Sequence, residues 1–236
     1  MFLQLPDIII LAGGLGTRLR DVVGDAPKSM ALVKGKPFLE YQLNFIKKAG
    51  FRRVILSTGY KGEMIKNHFG SSYNGLELLY SHEENPLGTG GAVKQAFELV
   101  ETPHALIMNG DTMFRINLDY FFQSAVENLS EVYIALRFSE DASRFGLVEM
   151  NHENRIVAFR EKSTEASGGL INGGIYIISA KSFRKCSFPE VFSLERDFFA
   201  HYLNNLLING QIFDDFFLDI GIPEDYNKAQ DLFNDF

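Results

Sequence analysis

The sequence predicts an α/β fold, a Rossmann-like mixed and mostly parallel sheet with helices on both faces. Two observations predict it. Up to Asp111, short β-branched apolar runs alternate with stretches of helical spacing, the signature of strand–loop–helix units. Beyond Asp111, strand-like runs follow one another with only turns between them, which favours antiparallel additions to the sheet.

Asp7-Ile-Ile-Ile-Leu11 reads as a buried strand that feeds the tight turn Ala12-Gly13-Gly14. Residues 38–49 space Phe38, Leu39, Tyr41, Gln42, Phe45 and Ile46 as a helix does, and Gly50 closes it. Residues 53–57 form the next strand, and residues 61–69 a helix stopped by Gly70. A strand over 76–80, a helix over about 89–100 and a buried strand over 104–108 follow, the last running into Asn109-Gly110-Asp111. The later strands are expected over 131–138, 145–150, 155–161 and 171–179. Helices over about 193–207 and 223–233 flank a final strand near 216–219.

The 236 residues are 46% hydrophobic and 13% aromatic, enough to bury a core, so a disordered chain is excluded. No Pro/Gly/Ser-rich linker and no repeat interrupts them, so one domain spanning 1–236 is expected. No apolar run reaches the roughly 18 residues of a membrane span, and the first residues lack a charged signal-peptide start, so a cytoplasmic chain without membrane partners is expected. Cys186 is the sole cysteine, which excludes an intrachain disulfide. A net charge of −7 argues against nucleic acid as a partner. The charge is uneven: residues 1–60 carry nine Lys/Arg against four Asp/Glu, whereas residues 189–236 carry two against ten. That asymmetry reads either as solvated faces or as a basic N-terminal site for an anion.

In such sheets ligands sit beyond the carboxyl ends of the strands. The first loop there is Leu11-Ala-Gly-Gly-Leu-Gly-Thr-Arg-Leu19, whose glycines let backbone N–H groups approach phosphate oxygens. It is not a Walker loop, because no Gly-Lys-Ser/Thr follows. As a dinucleotide fingerprint it fails at Leu19, where the third glycine belongs, and the acidic ribose partner is missing; this disfavours an oxidoreductase. Arg18 and Lys28 add a planar fork and a compact charge, so a triphosphate cradle is one reading and an ordinary surface loop the other. Asp111 and Asp219 each end a strand, as turn formers do, or as ligands of a hard cation do.

Taken in order, these blocks resemble the signature of sugar-phosphate nucleotidyltransferases, the pyrophosphorylases that make nucleotide sugars. The resemblance runs on through Pro86-Leu-Gly-Thr-Gly-Gly91, Gly110-Asp111, Phe145-Gly-Leu-Val-Glu149, Glu161-Lys162, Asn172-Gly-Gly174 and Asp219-Ile-Gly221, from residue 7 to 225. It implies a glycosyltransferase-A-like nucleotidyltransferase fold, with a nucleotide-binding part over about 1–112 and a sugar-phosphate-binding part over about 113–236. It also implies that Leu11, Ala12, Gly13, Gly14, Gly16 and Thr17 wrap the nucleotide phosphates, and that Arg18 and Lys28 hold the departing pyrophosphate. Leu87, Gly88 and Thr89 would border the base. Asp111, on the nucleotide side, and Asp219 would coordinate Mg²⁺. Gly146, Glu161, Asn172 and Gly173 would face the sugar, and Lys162 its phosphate.

Within the family the marks Leu87-Gly-Thr-Gly-Gly91 and Leu170-Ile-Asn-Gly-Gly-Ile-Tyr176 are most similar to guanylyltransferases that act on D-glycero-α-D-manno-heptose 1-phosphate in bacterial surface-polysaccharide synthesis. GTP and that heptose 1-phosphate are therefore the expected substrates. Mannose 1-phosphate guanylyltransferases and glucose 1-phosphate thymidylyl- or cytidylyltransferases, which share most of these marks, are the alternatives, and a noncatalytic nucleotide-sugar sensor is the alternative of another class. The hexapeptide repeats of the β-helix found in longer relatives do not occur in the sequence, so acyltransferase activity is not expected. The Phe-rich end (Phe213, Phe216, Phe217, Phe233, Phe236) reads as core packing, or as a subunit interface of a homo-oligomer.

A sugar 1-phosphate oxygen is already anionic at neutral pH. Attack on the α-phosphorus of a nucleoside triphosphate then needs no general base, which suits a chain whose five histidines form no catalytic pattern. The barrier is repulsion among anions, met by positioned cations. Asp111→Asn and Lys162→Ala are each expected to lower turnover by roughly 10²–10³, the scale for losing one preorganised group. Pyrophosphate release by the purified variants checks this, and near-normal turnover removes that residue from the mechanism.

Overall fold

In a computed structural model the described residues are 4–14, 16, 19, 24–142, 145–160 and 167–233. The strands in chain order are β1 Asp7–Leu11, β2 Leu32–Val33, β3 Lys36–Pro37, β4 Arg53–Thr58, β5 Ser72–Tyr73, β6 Leu76–His82, β7 His104–Asn109 and β8 Thr112–Phe114. They continue with β9 Val132–Asp141, β10 Leu147–Met150, β11 Ile156–Arg160, β12 Ser167–Ser179, β13 Ile208–Ile212 and β14 Phe217–Asp219. The main sheet runs β5-β6-β4-β1-β7-β12-β10-β11, with β9 on β12 and β13 on β9. β6, β4, β1 and β7 are mutually parallel, and β12 joins β7 antiparallel. β8 and β14 pair antiparallel apart from it, in a register that sets Asp219 opposite Thr112.

The chain lays β4 and β6 on one side of β1, then returns to place β7 on the other. The order therefore reverses at β1, and a crevice opens beyond the carboxyl ends of β1 and β7. The period-2 pleat divides β1 between two cores: Ile8 and Ile10 face one layer and Ile9 the other. Helices Phe38–Lys48, Gly62–Phe69 and Gly88–Ala96 follow β3, β4 and β6, and their buried positions pack on these layers. Ile8, Ile9 and Ile10 lie inside the two cores and Leu11 against one of them, which fixes this strand as the axis of the sheet.

The alternating and antiparallel halves stand as expected, with local differences. The antiparallel strands are longer where pairing continues: β9 reaches Asp141 and β12 begins at Ser167. A helix Leu118–Glu127, not anticipated among the later strands, starts at Asn117, whose side chain caps it by accepting from Tyr120 N at 3.0 Å. The helix expected over 89–100 ends at Ala96 and tightens into a 3₁₀ turn, Phe97–Leu99. That expected over 193–207 is a π-helix only over Leu194–Ala200, followed by turns that deliver β13 to the edge of β9. Phe213 packs on Phe114 and Phe121, while Phe216 and Phe233 pack on each other. Phe236 lies outside the described residues. No helix among the described residues is long and apolar enough to cross a membrane.

At the end of the sheet opposite the crevice, Arg53 is clamped between carboxylates. Its Nη1 donates to Asp7 Oδ2 at 2.7 Å and to Leu99 O at 2.9 Å, and its Nη2 to Glu101 at 3.0 Å. Asp7 is 4% exposed, so removal of its partner strands a buried charge. Arg53→Met is expected to lower unfolding free energy by about 3 kcal/mol. Urea denaturation checks it, and an unchanged midpoint refutes it.

Candidate active site

Two cavities adjoin at the crevice, of about 530 Å³ and about 480 Å³. Asn109, Asp111 and Glu195 line both. The first is walled by the turn after β1 and by the ends of β4 and β6. Ala12 N donates to Ser57 O at 2.8 Å, tying that turn to the end of β4. A Cβ at Gly13 would stand 2.6 Å from Glu83 Oε1 and 3.1 Å from Gly59 N, so the turn runs close against the ends of β4 and β6.

Leu11, Ala12, Gly13, Gly14, Lys28, Gly88, Thr89 and Asp111 all line the first cavity. Gly16 does not; its φ of +60° turns the backbone against the Lys28 side chain. Leu87 is also off the wall, its carbonyl accepting from Phe192 N at 3.0 Å and its N–H donating to Glu83 Oε2 at 3.0 Å. Gly146, Asn172, Gly173 and Asp219 line the second cavity, again with Asp111. Thr17, Arg18, Glu161 and Lys162 lie outside the described residues.

The geometry joins Lys28 to a partner the sequence did not suggest. Its Nζ donates to Asp111 Oδ2 at 2.5 Å, and Thr112 Oγ1 donates to the other carboxylate oxygen at 3.1 Å. Asp219 stands close by: Ile220 N donates to Asp111 O at 2.9 Å, and a Cβ on Gly221 would meet both Asp219 Oδ1 and Lys28 Nζ. The two carboxylates thus sit on neighbouring strand ends, with Lys28 paired to one of them and Gly221 beside both Lys28 and the other. Among the described residues no group of three His, Cys, Asp or Glu side chains could hold a metal. Two carboxylates nevertheless suit Mg²⁺, a hard cation that usually takes one or two of them and fills its remaining positions with phosphate oxygens and water.

Asn172 is partly committed to shaping its own strand. Its Oδ1 accepts from Gly174 N at 2.9 Å and its Nδ2 donates to Tyr176 Oη at 2.8 Å, across a bulge in β12 where Gly174 has φ +75°. Burial pushes the Tyr176 phenol well above its ordinary range, so it stays a neutral hydrogen-bonding group.

Sequence reasoning missed Glu83, which lines the first cavity, and Glu195, which lines both. Glu83 follows the end of β6 directly, so the strand-end rule could have found it. Glu195 comes from the π-helix, over 100 positions from the helix start it meets: Thr89 Oγ1 donates to its Oε2 at 3.2 Å and accepts from Leu194 N at 2.9 Å. Phe192 O accepts from Gly90 N at 2.9 Å, so the start of the Gly88–Ala96 helix, beside the first cavity, is laced to the segment that leads into Ser193 and Glu195 of the second.

The family model described as nucleotidyl transferase matches residues 7–235. The chain is 44% identical, over 95% of its length and 96% of the relative's, to the D-glycero-alpha-D-manno-heptose 1-phosphate guanylyltransferase of Aneurinibacillus thermoaerophilus. It is 34% identical to the mannose-1-phosphate guanylyltransferase of Mycobacterium tuberculosis, over 94% of this chain but 63% of that one. HddC from Yersinia pseudotuberculosis, solved complexed with GMP-PN, superposes with a TM-score of 0.83 at 35% identity, covering 96% of this chain and 99% of that one.

Gly88 is the point of the lacing where the backbone is left-handed, with φ +73° and room for a Cβ only 2.6 Å from the backbone oxygen of Phe192. Gly88→Ala is expected to cost about 1–3 kcal/mol of strain. It should lower the melting temperature and weaken binding of a nonhydrolysable GTP analogue, read by calorimetric titration; wild-type values for both would show the contact is not needed.

Proposed function

The chain belongs to the nucleotidyl transferase family, and we propose that it transfers a guanylyl group from GTP to D-glycero-α-D-manno-heptose 1-phosphate, giving GDP-heptose and pyrophosphate. The observation that carries this reading is the meeting of two cavities at Asp111, whose carboxylate is paired with Lys28 of the first cavity; one is walled by a glycine turn and the other by Gly146 and Asn172. Residues of about 1–112 serve the nucleotide and those of about 113–236 the sugar phosphate, with the lacing of Thr89 to the π-helix crossing between them. The extent of the match to the heptose guanylyltransferase, end to end on both chains, favours the heptose over mannose. A cytoplasmic setting suits substrates of this kind.

The sugar-phosphate oxygen attacks the α-phosphorus in line and the bond to pyrophosphate breaks. No proton has to be removed from the nucleophile. Backbone N–H groups of the glycine turn face the phosphates, while Arg18 and Lys28 steady the leaving pyrophosphate and Lys162 the incoming phosphate. Asp111 and Asp219 hold Mg²⁺, which when bound neutralises phosphate charge. Glu83 supplies the acceptor for the donors on the Watson–Crick edge of guanine, which adenine does not match.

Pyrophosphate release across GTP, ATP, CTP, UTP and dTTP, each with heptose, mannose and glucose 1-phosphates, tests the reading. Release confined to GTP with the manno-heptose supports it; another productive pair overturns the substrate assignment, and silence from folded, nucleotide-binding protein supports a sensor. Glu83→Gln is expected to lower kcat/KM for GTP by about 10–100-fold, the worth of a hydrogen bond to a charged group. Unchanged preference for GTP would take Glu83 out of base selection.

A further inference from the structure

Gln42 lines neither cavity, yet it is a fully buried amide in the middle of the Phe38–Lys48 helix. Its Nε2 donates to Asn109 O and to Thr112 O, each at 2.8 Å. A primary amide has two N–H donors, and here both go to the carbonyls that bracket Gly110-Asp111. Its Oε1 has no hydrogen-bond partner among the described residues. A desolvated acceptor without a partner weakens a fold, so helix packing alone gives no reason for an amide at this place. Its donors do: they reach the one turn that carries Asp111.

The same turn is held from two further sides. Gly110 N donates to Leu11 O at 3.1 Å, and Asp111 O accepts from Ile220 N at 2.9 Å. Lys28 and Thr112 bond the Asp111 carboxylate itself, whereas the Gln42 side chain grips the backbone of the turn at both ends. We propose that Gln42 is a positioning residue: it fixes the Asn109–Thr112 connection so that the Asp111 carboxylate is presented, beside Asp219, to the divalent cation that accompanies the nucleotide. This rests on the reading of Asp111 as a cation ligand given above. A residue that orients a ligand in this way governs metal affinity, whereas the sugar-side residues Gly146 and Asn172 are held by other strands and stay in place.

The test uses the whole chain, Mn²⁺ as the probe and a nonhydrolysable GTP analogue. Gln42→Met keeps the length of the side chain and removes both donors. Mn²⁺ affinity in the nucleotide complex, read by electron paramagnetic resonance, is expected to fall about tenfold, the scale for losing an outer partner of a metal ligand. The KM for the sugar 1-phosphate should move less than twofold, and so should nucleotide affinity measured without metal, while turnover falls. Asp111→Asn runs beside it. Wild-type Mn²⁺ affinity in Gln42→Met, with loss in Asp111→Asn, overturns the positioning role; so does an equal loss of metal-free nucleotide affinity in Gln42→Met, which marks a general structural defect. Wild-type Mn²⁺ affinity in Asp111→Asn overturns the ligand reading itself, and the role of Gln42 with it. If Gln42→Met does not unfold cooperatively, Gln42→His, which keeps a ring N–H for one carbonyl, takes its place, with a smaller loss of Mn²⁺ affinity expected and an unchanged affinity overturning the proposal.

Discussion

The contact on which the site depends is the approach of two backbones at the carboxyl ends of β1 and β7. Gly110 N meets Leu11 O at 3.1 Å, and a Cβ on Gly110 would stand only 2.4 Å from that same oxygen. No side chain fits there without moving a strand that is buried on both faces. The glycine turn after β1 and the Gly110-Asp111 turn after β7 are therefore held edge to edge, and what each carries must share one crevice. Lys28 reaches Asp111 across that edge, and β14 brings Asp219 to the same place through its pairing with β8.

How much of this was legible in the sequence depends on the range of the interaction concerned. β1 and β7 are runs of apolar residues ended by glycine turns, a local pattern, and the strand-end rule then points to Gly13, Gly14 and Asp111. The Leu118–Glu127 helix was also local: Leu118, Phe121, Phe122 and Ala125 repeat at helical spacing behind Asn117, a capping residue. An expectation of successive strands passes over it. β13 left no such mark, because Gly210 weakens a strand pattern and its pairing with β9 is tertiary. Nor can spacing pair Asp111 with Asp219, or bring Glu195 to Thr89; those contacts exist only once the sheet has formed. Gln42 shows the limit from the other side. Its helical spacing marks it as buried, but nothing local says that its amide faces a turn rather than an apolar neighbour.

The charges at the crevice come from distant parts of the chain: Lys28 belongs to the basic N-terminal stretch and Glu195 to the acidic C-terminal one. Among the described residues, the walls of the first cavity carry Glu83, Glu84, Asp111 and Glu195 against Lys28. A polyanion such as a nucleoside triphosphate meets unfavourable charge there unless cations come with it. The Lys28–Asp111 pair is the point at which that balance changes, since the same carboxylate cannot serve fully as both partner of a lysine and ligand of a metal. A divalent cation held by Asp111 and Asp219 would take over that carboxylate and supply positive charge, and Lys28 would then be free to face phosphate oxygens. The acidic residues are thus compatible with the proposed phosphate site, because carboxylates are the groups that would hold cations there, while the Lys28–Asp111 pair ties the Asp111 carboxylate to the segment that follows β1.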